Sequence, residues 1–297
     1  MLNNAHANLI NYIMSMLGLK PTLSKILLSK EKHPAGRTIK IENYFRNCDE
    51  QVYSSLDWES GAETDEASEF LEDDQDDGTL RDGMKEKLKF SMKQIKAYHV
   101  LGCLVESGRQ EYYDSENEVH EEKLLSLWNL LNPNEKLSAR KSKQWEDIGF
   151  QGLDPATDFR GAGVLGLDQM IYFAKHDLEN CRRILQLSLH PIKGFPFAIC
   201  SITITFIGKE LLAEGYLKRH VYNSINPEEV SIEDFHRIYL ALFKLFAEHW
   251  FSSDENRDIM NFNIVKSEFI SRIKSYLSLD CSNLNDQIKM ENINSLI

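Results

Sequence analysis

The stretch that decides the fold is Trp145–Phe173, which reads WEDIGFQGLDPATDFRGAGVLGLDQMIYF. Its first four residues have the character of a helix end, and the polar loop after them holds one arginine, Arg160. Pro155 fixes one backbone dihedral in this loop, and its short Asp and Thr side chains can bond to neighbouring backbone amides. The pattern predicts a stiff, irregular loop, followed by a helix that opens at Gly161 and Gly163.

The loop residues divide by the role that their chemistry suggests. Phe150 and Phe159 are the expected hydrophobic anchors of the loop in a helical core. Gln151 could orient Arg160, contact a partner protein, or serve as a purely structural amide, and the residues alone leave these open. The other residues that we assign to loop support or partner binding are Trp145, Gly149, Asp154, Pro155, Thr157, Asp158, Gly161 and Gly163.

The segment Gly161–Gly166 also satisfies the GxGxxG pattern of dinucleotide-binding folds. That pattern carries meaning only between a buried strand and a helix, with a second strand further on. Here the preceding residues contain Pro155 and two aspartates, and the following segment, Leu178–Leu189, is predicted to be helical. We therefore interpret the glycines as positions where backbone passes close to neighbouring atoms and where a helix opens.

Helical periodicity extends on both sides of the loop and predicts an all-α fold. Apolar residues recur at helical spacing from Met84 to about Ser107, and a capping sequence at Ser231–Asp234 opens a long apolar helix. The segment Phe195–Leu212 fits a strand or a buried helix, and the length of its apolar run favours the helix. No pair of strands joined by a hairpin turn is evident. The prediction is a multi-helix bundle over residues 84–280.

Three segments outside this bundle carry further expectations. Residues 1–56 are predicted to be an N-terminal helical segment, whose apolar part, 9–19, is too short to cross a bilayer. This part either docks on the domain or lies in a membrane interface. Residues 57–83 are expected to be a disordered acidic insertion, because like charges and few aromatics cannot offset the entropy of ordering. Residues 281–297 are expected to be a flexible tail.

Composition argues against several functional classes. The net charge at pH 7 is −12, and the acidic run Asp57–Asp77 accounts for 11 of the 12 excess negative charges. The remainder is nearly neutral and has no basic face suited to phosphate backbones, so nucleic-acid binding is not expected. Five widely spaced cysteines without a CxxC pair argue against a zinc site and a disulfide framework, and they fit a reducing cytoplasm. Asp154 and Asp158 lack a full coordinating set, so no metal site is expected.

The pattern W-x-x-x-G-F-Q-G-x-D-P-x-T-D-F-R-G-x-G-x-x-G-L closely resembles the signature of the ELMO domain-containing (ELMOD) proteins. The resemblance spans roughly Met84–Leu277 and includes the elements Y-D-S-x-N at 113–117 and L-W-N-L-L at 127–131. It implies an ELMO domain that activates GTP hydrolysis by Arf or Arf-like small GTPases. The arginine that the family assigns to this activation falls on Arg160. GTP and Mg²⁺ would belong to the partner GTPase, so we expect the chain to bind no cofactor.

Two interpretations of Arg160 are open from the residues alone. It is a structural arginine tied to Asp154 or Asp158, or an arginine finger that stabilises charge on a phosphate bound by another protein. The resemblance favours the finger, and with it a GTPase activator that has no catalytic activity of its own. The alternative is a non-catalytic scaffold for small GTPases or exchange factors, like the related engulfment-and-motility proteins. The resemblance also implies membrane traffic as the setting, with peripheral contact on intracellular membranes through residues 9–19.

Overall fold

The computed structural model describes residues 20–48, 78–252, 258–285 and 287–296. These residues form helices and connecting turns with no strand among them, which confirms the predicted all-α class. The expected apolar helix at 9–19 and the acidic insertion up to residue 77 lie outside the described residues. No helix in the described ranges combines the length and the apolar character that a bilayer-spanning segment needs.

Eleven α-helices occur in the described part of the chain. They are α1 (Lys20–Leu28), α2 (Pro34–Cys48), α3 (Gly78–Gln110), α4 (Glu118–Leu131), α5 (Gly163–His176), α6 (Leu178–Ser188), α7 (Phe197–Ala213), α8 (Lys218–Ser224), α9 (Ile232–Phe251), α10 (Phe262–Leu277) and α11 (Met290–Leu296). Three 3₁₀ helices add to them: Lys143–Ile148, named the Trp145 turn below, Pro155–Arg160, named the Arg160 turn, and Ile259–Asn261.

The chain divides into two compact units, and the first holds α1, α2, α8 and the N-terminal part of α3. Helix α8 packs against α2 in this unit. The predicted single domain 84–280 is therefore divided, because its segments 84–101 and 217–230 share a core with the N-terminal helices. Glu42 is buried in that core and accepts hydrogen bonds from Lys218, Arg46 and Tyr222, which offset the cost of burying its charge.

The second unit is built around α5, α7 and α9, which pack against one another. Helix α7 confirms that the ambiguous apolar segment is a buried helix. Its polar side chains bond within the core: the Ser201 and Tyr239 hydroxyls lie 2.6 Å apart, and the Thr205 hydroxyl donates to the Gln169 side-chain carbonyl at 2.6 Å. A helix that is apolar on nearly all its faces is normally buried in a core. Its few hydroxyl groups can be buried with it because each has a hydrogen-bond partner.

The predicted start of α9 is confirmed in detail. Ser231 and Asp234 form a capping box, in which the Ser231 backbone N–H donates to the Asp234 carboxylate at 2.9 Å. Such a box satisfies backbone donors that have no partner within the helix. At the other end of α9, the buried Trp250 donates its indole N–H to the Lys193 carbonyl at 2.7 Å.

Helix α3 begins at Gly78, earlier than the predicted start near Met84. Residues 78–83, assigned to the disordered insertion from the sequence, therefore belong to a helix. Gly83 does not end this helix, because one glycine inside a helix costs only about 1 kcal/mol relative to alanine. A helix of 33 residues can offset that cost through the packing of its remaining length.

The expectation of a flexible tail at 281–297 is wrong for the part that is described. Helix α11 packs against α9 and α10, and its Met290 and Ile293 side chains are buried. The Met290 backbone N–H donates to the Glu248 carboxylate of α9 at 2.9 Å. The segment shows no clear helical stripe because it is short and draws its stability from tertiary packing.

Ile293→Ala should lower the free energy of unfolding by about 2 kcal/mol, because it removes a fully buried side chain and leaves a cavity. Urea denaturation measures the change. Leu296→Ala in the same helix is the control, since Leu296 is 52% exposed and its truncation should change little. Equal effects of the two substitutions would show that α11 does not dock as described.

Candidate functional site at the Arg160 turn

The Trp145 turn fixes the beginning of the loop in the core. Ser142 caps it by accepting from the Gln144 backbone N–H, and the fully buried Trp145 donates its indole N–H to the Arg140 carbonyl at 2.8 Å. The turn ends at Gly149 in the left-handed conformation, with φ of 83°. A Cβ atom there would lie 2.1 Å from the Phe197 backbone nitrogen, so only glycine fits at this contact with α7.

The Arg160 turn is held by hydrogen bonds between its own side chains and its backbone. Asp154 is its N-cap and accepts from the Ala156 N–H at 3.1 Å. The Thr157 hydroxyl donates to the Asp154 carbonyl at 3.0 Å, and Pro155 occupies the first turn with its side chain buried. Each of these residue types restricts the backbone or satisfies its polar groups. The loop is therefore irregular in shape but ordered.

Two phenylalanines anchor the loop, as their positions in a polar sequence predict. Phe150 is 4% exposed and Phe159 is fully buried, and their rings meet edge to face with centroids 5.6 Å apart. Trp145 packs against Phe150 at 5.8 Å, and Tyr113 stacks on Phe159 at 5.4 Å. Aromatic pairs of this kind add about 0.5–1.5 kcal/mol each beyond the area that they bury.

An ion-pair network ties the start of the Arg160 turn to α4. Arg140 bonds to Glu121 through two nitrogens and donates to Asp154 at 3.0 Å. The Tyr113 hydroxyl also donates to Glu121, at 2.6 Å, and Lys141 pairs with Asp154 at 3.1 Å. Burial by itself would raise the pKa of both carboxyls, but these donors outweigh it and hold each pKa below its ordinary value.

Helix α5, which follows the loop, begins in contact with the end of α3. Gly163 has φ of 60°, and a Cβ atom there would lie 2.3 Å from the Arg109 carbonyl oxygen. The Val164 N–H donates to the Glu111 carbonyl at 2.8 Å, so the first turn of α5 bonds directly to the segment after α3. At Gly161, a Cβ atom would meet the Phe206 ring at 2.8 Å. Close approach to backbone therefore accounts for Gly163, whereas Gly161 lies against the far end of the Phe206 side chain.

Arg160 lies at the end of its turn with its side chain exposed. Its Nε–H donates to the Thr157 carbonyl at 2.7 Å, and no described carboxylate forms an ion pair with it. Asp154 is engaged by Arg140 and Lys141, and Asp158 accepts the Gln151 backbone N–H at 2.8 Å. No ion pair therefore joins Arg160 to either aspartate among the described residues. Burial raises the pKa of Asp158, and the Gln151 N–H and the nearby charge of Arg160 offset this only in part.

Gln151 is exposed, and within the described part of the chain its side-chain amide makes no hydrogen bond. Its neighbour Leu153 is 51% exposed, which is high for a leucine in an ordered loop. The predicted site residues thus separate into two groups. Gln151 and Arg160 present side chains to solvent, whereas the anchors, caps and glycines support them.

Sequence reasoning missed the charged residues that surround this turn. Arg109 donates to the Gly161 carbonyl at 3.5 Å and bonds to Glu106, which also pairs with Lys209 at 3.6 Å. The hydrogen bond from Arg109, with help from Gln110, lowers the pKa of Glu106 to about 2. The spacing of Glu106 and Arg109 in a helix could have indicated their pairing, but nothing local links either to the loop. Among the described side chains, no cluster of three or more His, Cys, Asp or Glu residues could hold a metal ion.

Comparison with known proteins gives consistent matches. Residues 103–266 match the sequence profile of the ELMO/CED-12 family, a range that contains both turns. The chain is 39% identical over 249 residues to ELMO domain-containing protein 2 of Homo sapiens, covering 84% of each chain. It is 36% identical over 285 residues to ELMO domain-containing protein 1 of Pongo abelii, covering 89% of this chain and 86% of the relative. It is also 36% identical over 183 residues to ELMO domain-containing protein B of Dictyostelium discoideum, covering 62% of each.

Gly163→Ala should destabilise the protein by about 3 kcal/mol or more, because a left-handed backbone and a clash with a carbonyl act together. The matched control is Gly152→Ala, since Gly152 has φ of 72° but nothing lies within 4 Å of its Cβ position. That variant should lose only about 1–2 kcal/mol. Chemical denaturation of both proteins gives the comparison, and equal losses would contradict the close approach.

Arg140→Met should cost about 2 kcal/mol of stability at pH 7, because it removes charge-assisted hydrogen bonds to Glu121 and Asp154. The folded pKa values of both carboxyls lie below their ordinary values of 4.5 and 3.8. The network's stabilisation is therefore complete above those values and is lost as the pH falls through the lower, folded ones.

Urea denaturation of wild type and Arg140→Met between pH 7 and pH 3 tests this dependence. The difference between them should shrink in the most acidic part of the range. Lys136→Met is the control, since Lys136 is exposed and makes no ion pair with any described residue. An Arg140→Met difference that stays constant with pH would exclude the ion pairs as its cause.

Proposed function

The chain belongs to the ELMO/CED-12 family, and from that premise we propose that it is a GTPase-activating protein for Arf or Arf-like small GTPases. In this proposal Arg160 enters the nucleotide site of the partner, which itself holds GTP and Mg²⁺. The observation that carries the proposal is the placement of Arg160. Its guanidinium is exposed, stands on an ordered turn, and has no carboxylate partner among the described residues.

The chemistry of phosphoryl transfer suits such a group. Charge spreads over the equatorial oxygens of the transferred phosphoryl group, and a planar, permanently charged guanidinium stabilises it. One of the five N–H donors of Arg160 bonds to the Thr157 carbonyl, and that bond fixes the base of the guanidinium. The four donors on the two Nη atoms have no partner in the described part of the chain, and two of them can make a bidentate contact with phosphate oxygens.

The surroundings of Arg160 favour an anionic ligand over a structural role. The amino end of α5 carries partial positive charge, so a cation placed beside it gains nothing from the helix. Arg109 donates to the carbonyl of Gly161, the residue next to Arg160, but its own charge is paired with Glu106. The amino end of α5 and the guanidinium of Arg160, which has no described carboxylate partner, together suit a phosphate.

A second candidate function is a non-catalytic scaffold that binds a small GTPase or an exchange factor. This candidate places a protein contact at the same surface, where Leu153 is exposed beside the Arg160 turn. Both candidates need such a contact, and they differ in what Arg160 does once the partner is bound. Only the activator requires the guanidinium to lower a reaction barrier.

Single-turnover GTP hydrolysis by a panel of purified Arf-family GTPases tests the proposal. The chain should accelerate hydrolysis by at least one of them, and Arg160→Lys should reduce the acceleration by about 10³-fold. Lysine retains the charge but not the planar, bidentate donor set. Thermal unfolding should be unchanged, because the Arg160 side chain is exposed and makes only one hydrogen bond with the residues that the structure describes.

Arg183→Lys is the matched control, since it replaces another exposed arginine of the same unit, in α6. It should leave the rate at the wild-type value. Equal rates for wild type and Arg160→Lys would remove the finger mechanism. Binding of a GTP-loaded partner with no acceleration by wild type would favour the scaffold.

A further inference from the structure

Gln151 combines a fixed backbone with a free side chain. Its backbone N–H donates to the Asp158 carboxylate at 2.8 Å, and the buried Phe150 ring precedes it in the chain. Its carboxamide is exposed and makes no hydrogen bond with any residue that the structure describes. A glutamine that positions the loop backbone or Arg160 would show such a bond. The structural interpretation of Gln151 therefore has no contact to support it.

Gln151 and Arg160 occupy equivalent positions in the loop. Each directly follows a buried phenylalanine, and the two phenylalanine rings pack together at 5.6 Å. Asp158, two residues before Arg160, holds the backbone of Gln151. Covalent geometry then limits the distance between the Cα atoms of Gln151 and Arg160 to about 15 Å. Side chains of their length can reach groups on one triphosphate from that separation.

GTP hydrolysis needs two separate contributions near the γ-phosphate. One group stabilises the charge on the phosphoryl oxygens, and another orients the water that attacks phosphorus in line. A carboxamide suits the second task, because its carbonyl accepts a hydrogen bond from the water while its NH₂ group donates to a phosphate oxygen. Arg160 has the chemistry for the first task and Gln151 for the second.

We propose that Gln151 is a second catalytic residue supplied in trans, which orients the attacking water while Arg160 stabilises the phosphoryl group; this inference rests on the GTPase-activating function proposed above. The water oxygen forms a bond to the γ-phosphorus as the bond from that phosphorus to the bridging β–γ oxygen breaks. GDP leaves with the electron pair, and the proton of the water passes to the phosphate product. Gln151 holds the water in line and is itself unchanged.

This assignment has a consequence for the partner. Small GTPases ordinarily supply the water-orienting glutamine themselves. If Gln151 performs that task, the partner's own glutamine becomes dispensable when this chain is bound. A GTPase in which that glutamine is replaced by leucine should then still respond to the wild-type chain. An activator that supplies only an arginine would not restore hydrolysis by such a GTPase.

The experiment uses a GTPase that the wild-type chain activates, in its natural form and with its own glutamine replaced by leucine. Single-turnover rates are measured over a range of concentrations of the full chain. Wild type should accelerate both forms. Gln151→Ala should lower the saturating rate by about 10²-fold, with little change in the half-saturating concentration. Gln151→Glu should be equally impaired, because a carboxylate lacks the donor and repels phosphate.

Gln186→Ala is the control, since it removes another exposed glutamine of the same unit, in α6, and should behave as wild type. Activation of the natural GTPase only, with Gln151→Ala at the wild-type rate, would overturn the role of Gln151 and leave the activating function intact. A change confined to the half-saturating concentration would also overturn it, because that result makes Gln151 a binding contact. No activation by wild type of any Arf-family GTPase would overturn the activating function and, with it, the role of Gln151 that rests on that function.

Discussion

The contact between Phe150 and Phe159 is the constraint on which the geometry of the loop depends. Both rings are buried, and their edge-to-face packing brings the two ends of an irregular segment together. Trp145 and Tyr113 extend the same aromatic cluster on either side. An aromatic ring has few rotatable bonds, so it holds backbone in place at a low cost in entropy. The polar residue after each anchor therefore leaves the core at a defined place.

The start of the Arg160 turn and the helix that follows the turn are held in place by different physical interactions. At the start of the turn, Arg140 links Asp154 to Glu121, and that link weakens when the carboxylates are protonated. At the start of α5, Gly163 fits against the Arg109 carbonyl, a steric contact that pH does not change. Loss of the Arg140 ion pairs would release the start of the Arg160 turn, whereas α5 would keep its position against the Arg109 carbonyl. The orientation of the turn is thus expected to be more sensitive to acid than the fold.

The features that could be predicted from the sequence are those that depend on local residue patterns. The all-α class follows from apolar spacing, and the anchoring role of Phe159 follows from its place in a polar loop. The link between Arg140 and Glu121 could not be predicted, because it joins residues 19 apart across an irregular segment with no repeating period. Helix α11 was missed because burial of Ile293, which only the tertiary fold creates, stabilises it. The pairing of Asp154 with Arg140 rather than with Arg160 could not be predicted either, because it depends on contacts that the tertiary fold creates.

That competition for carboxylates explains how an exposed arginine can stay available beside two aspartates. Asp154 is held by Arg140 and Lys141, and Asp158 is occupied by a backbone amide of the loop. Among the described residues, Arg160 has one hydrogen-bond partner, the Thr157 carbonyl, which orients the guanidinium without forming an ion pair. A preorganised cation needs little rearrangement when charge develops on a phosphate, which is the condition for stabilising a transition state more than a ground state. The ion pairs of Asp154 and the backbone hydrogen bond of Asp158 therefore support chemistry by occupying the carboxylates of the loop, so that the Nη donors of Arg160 stay available.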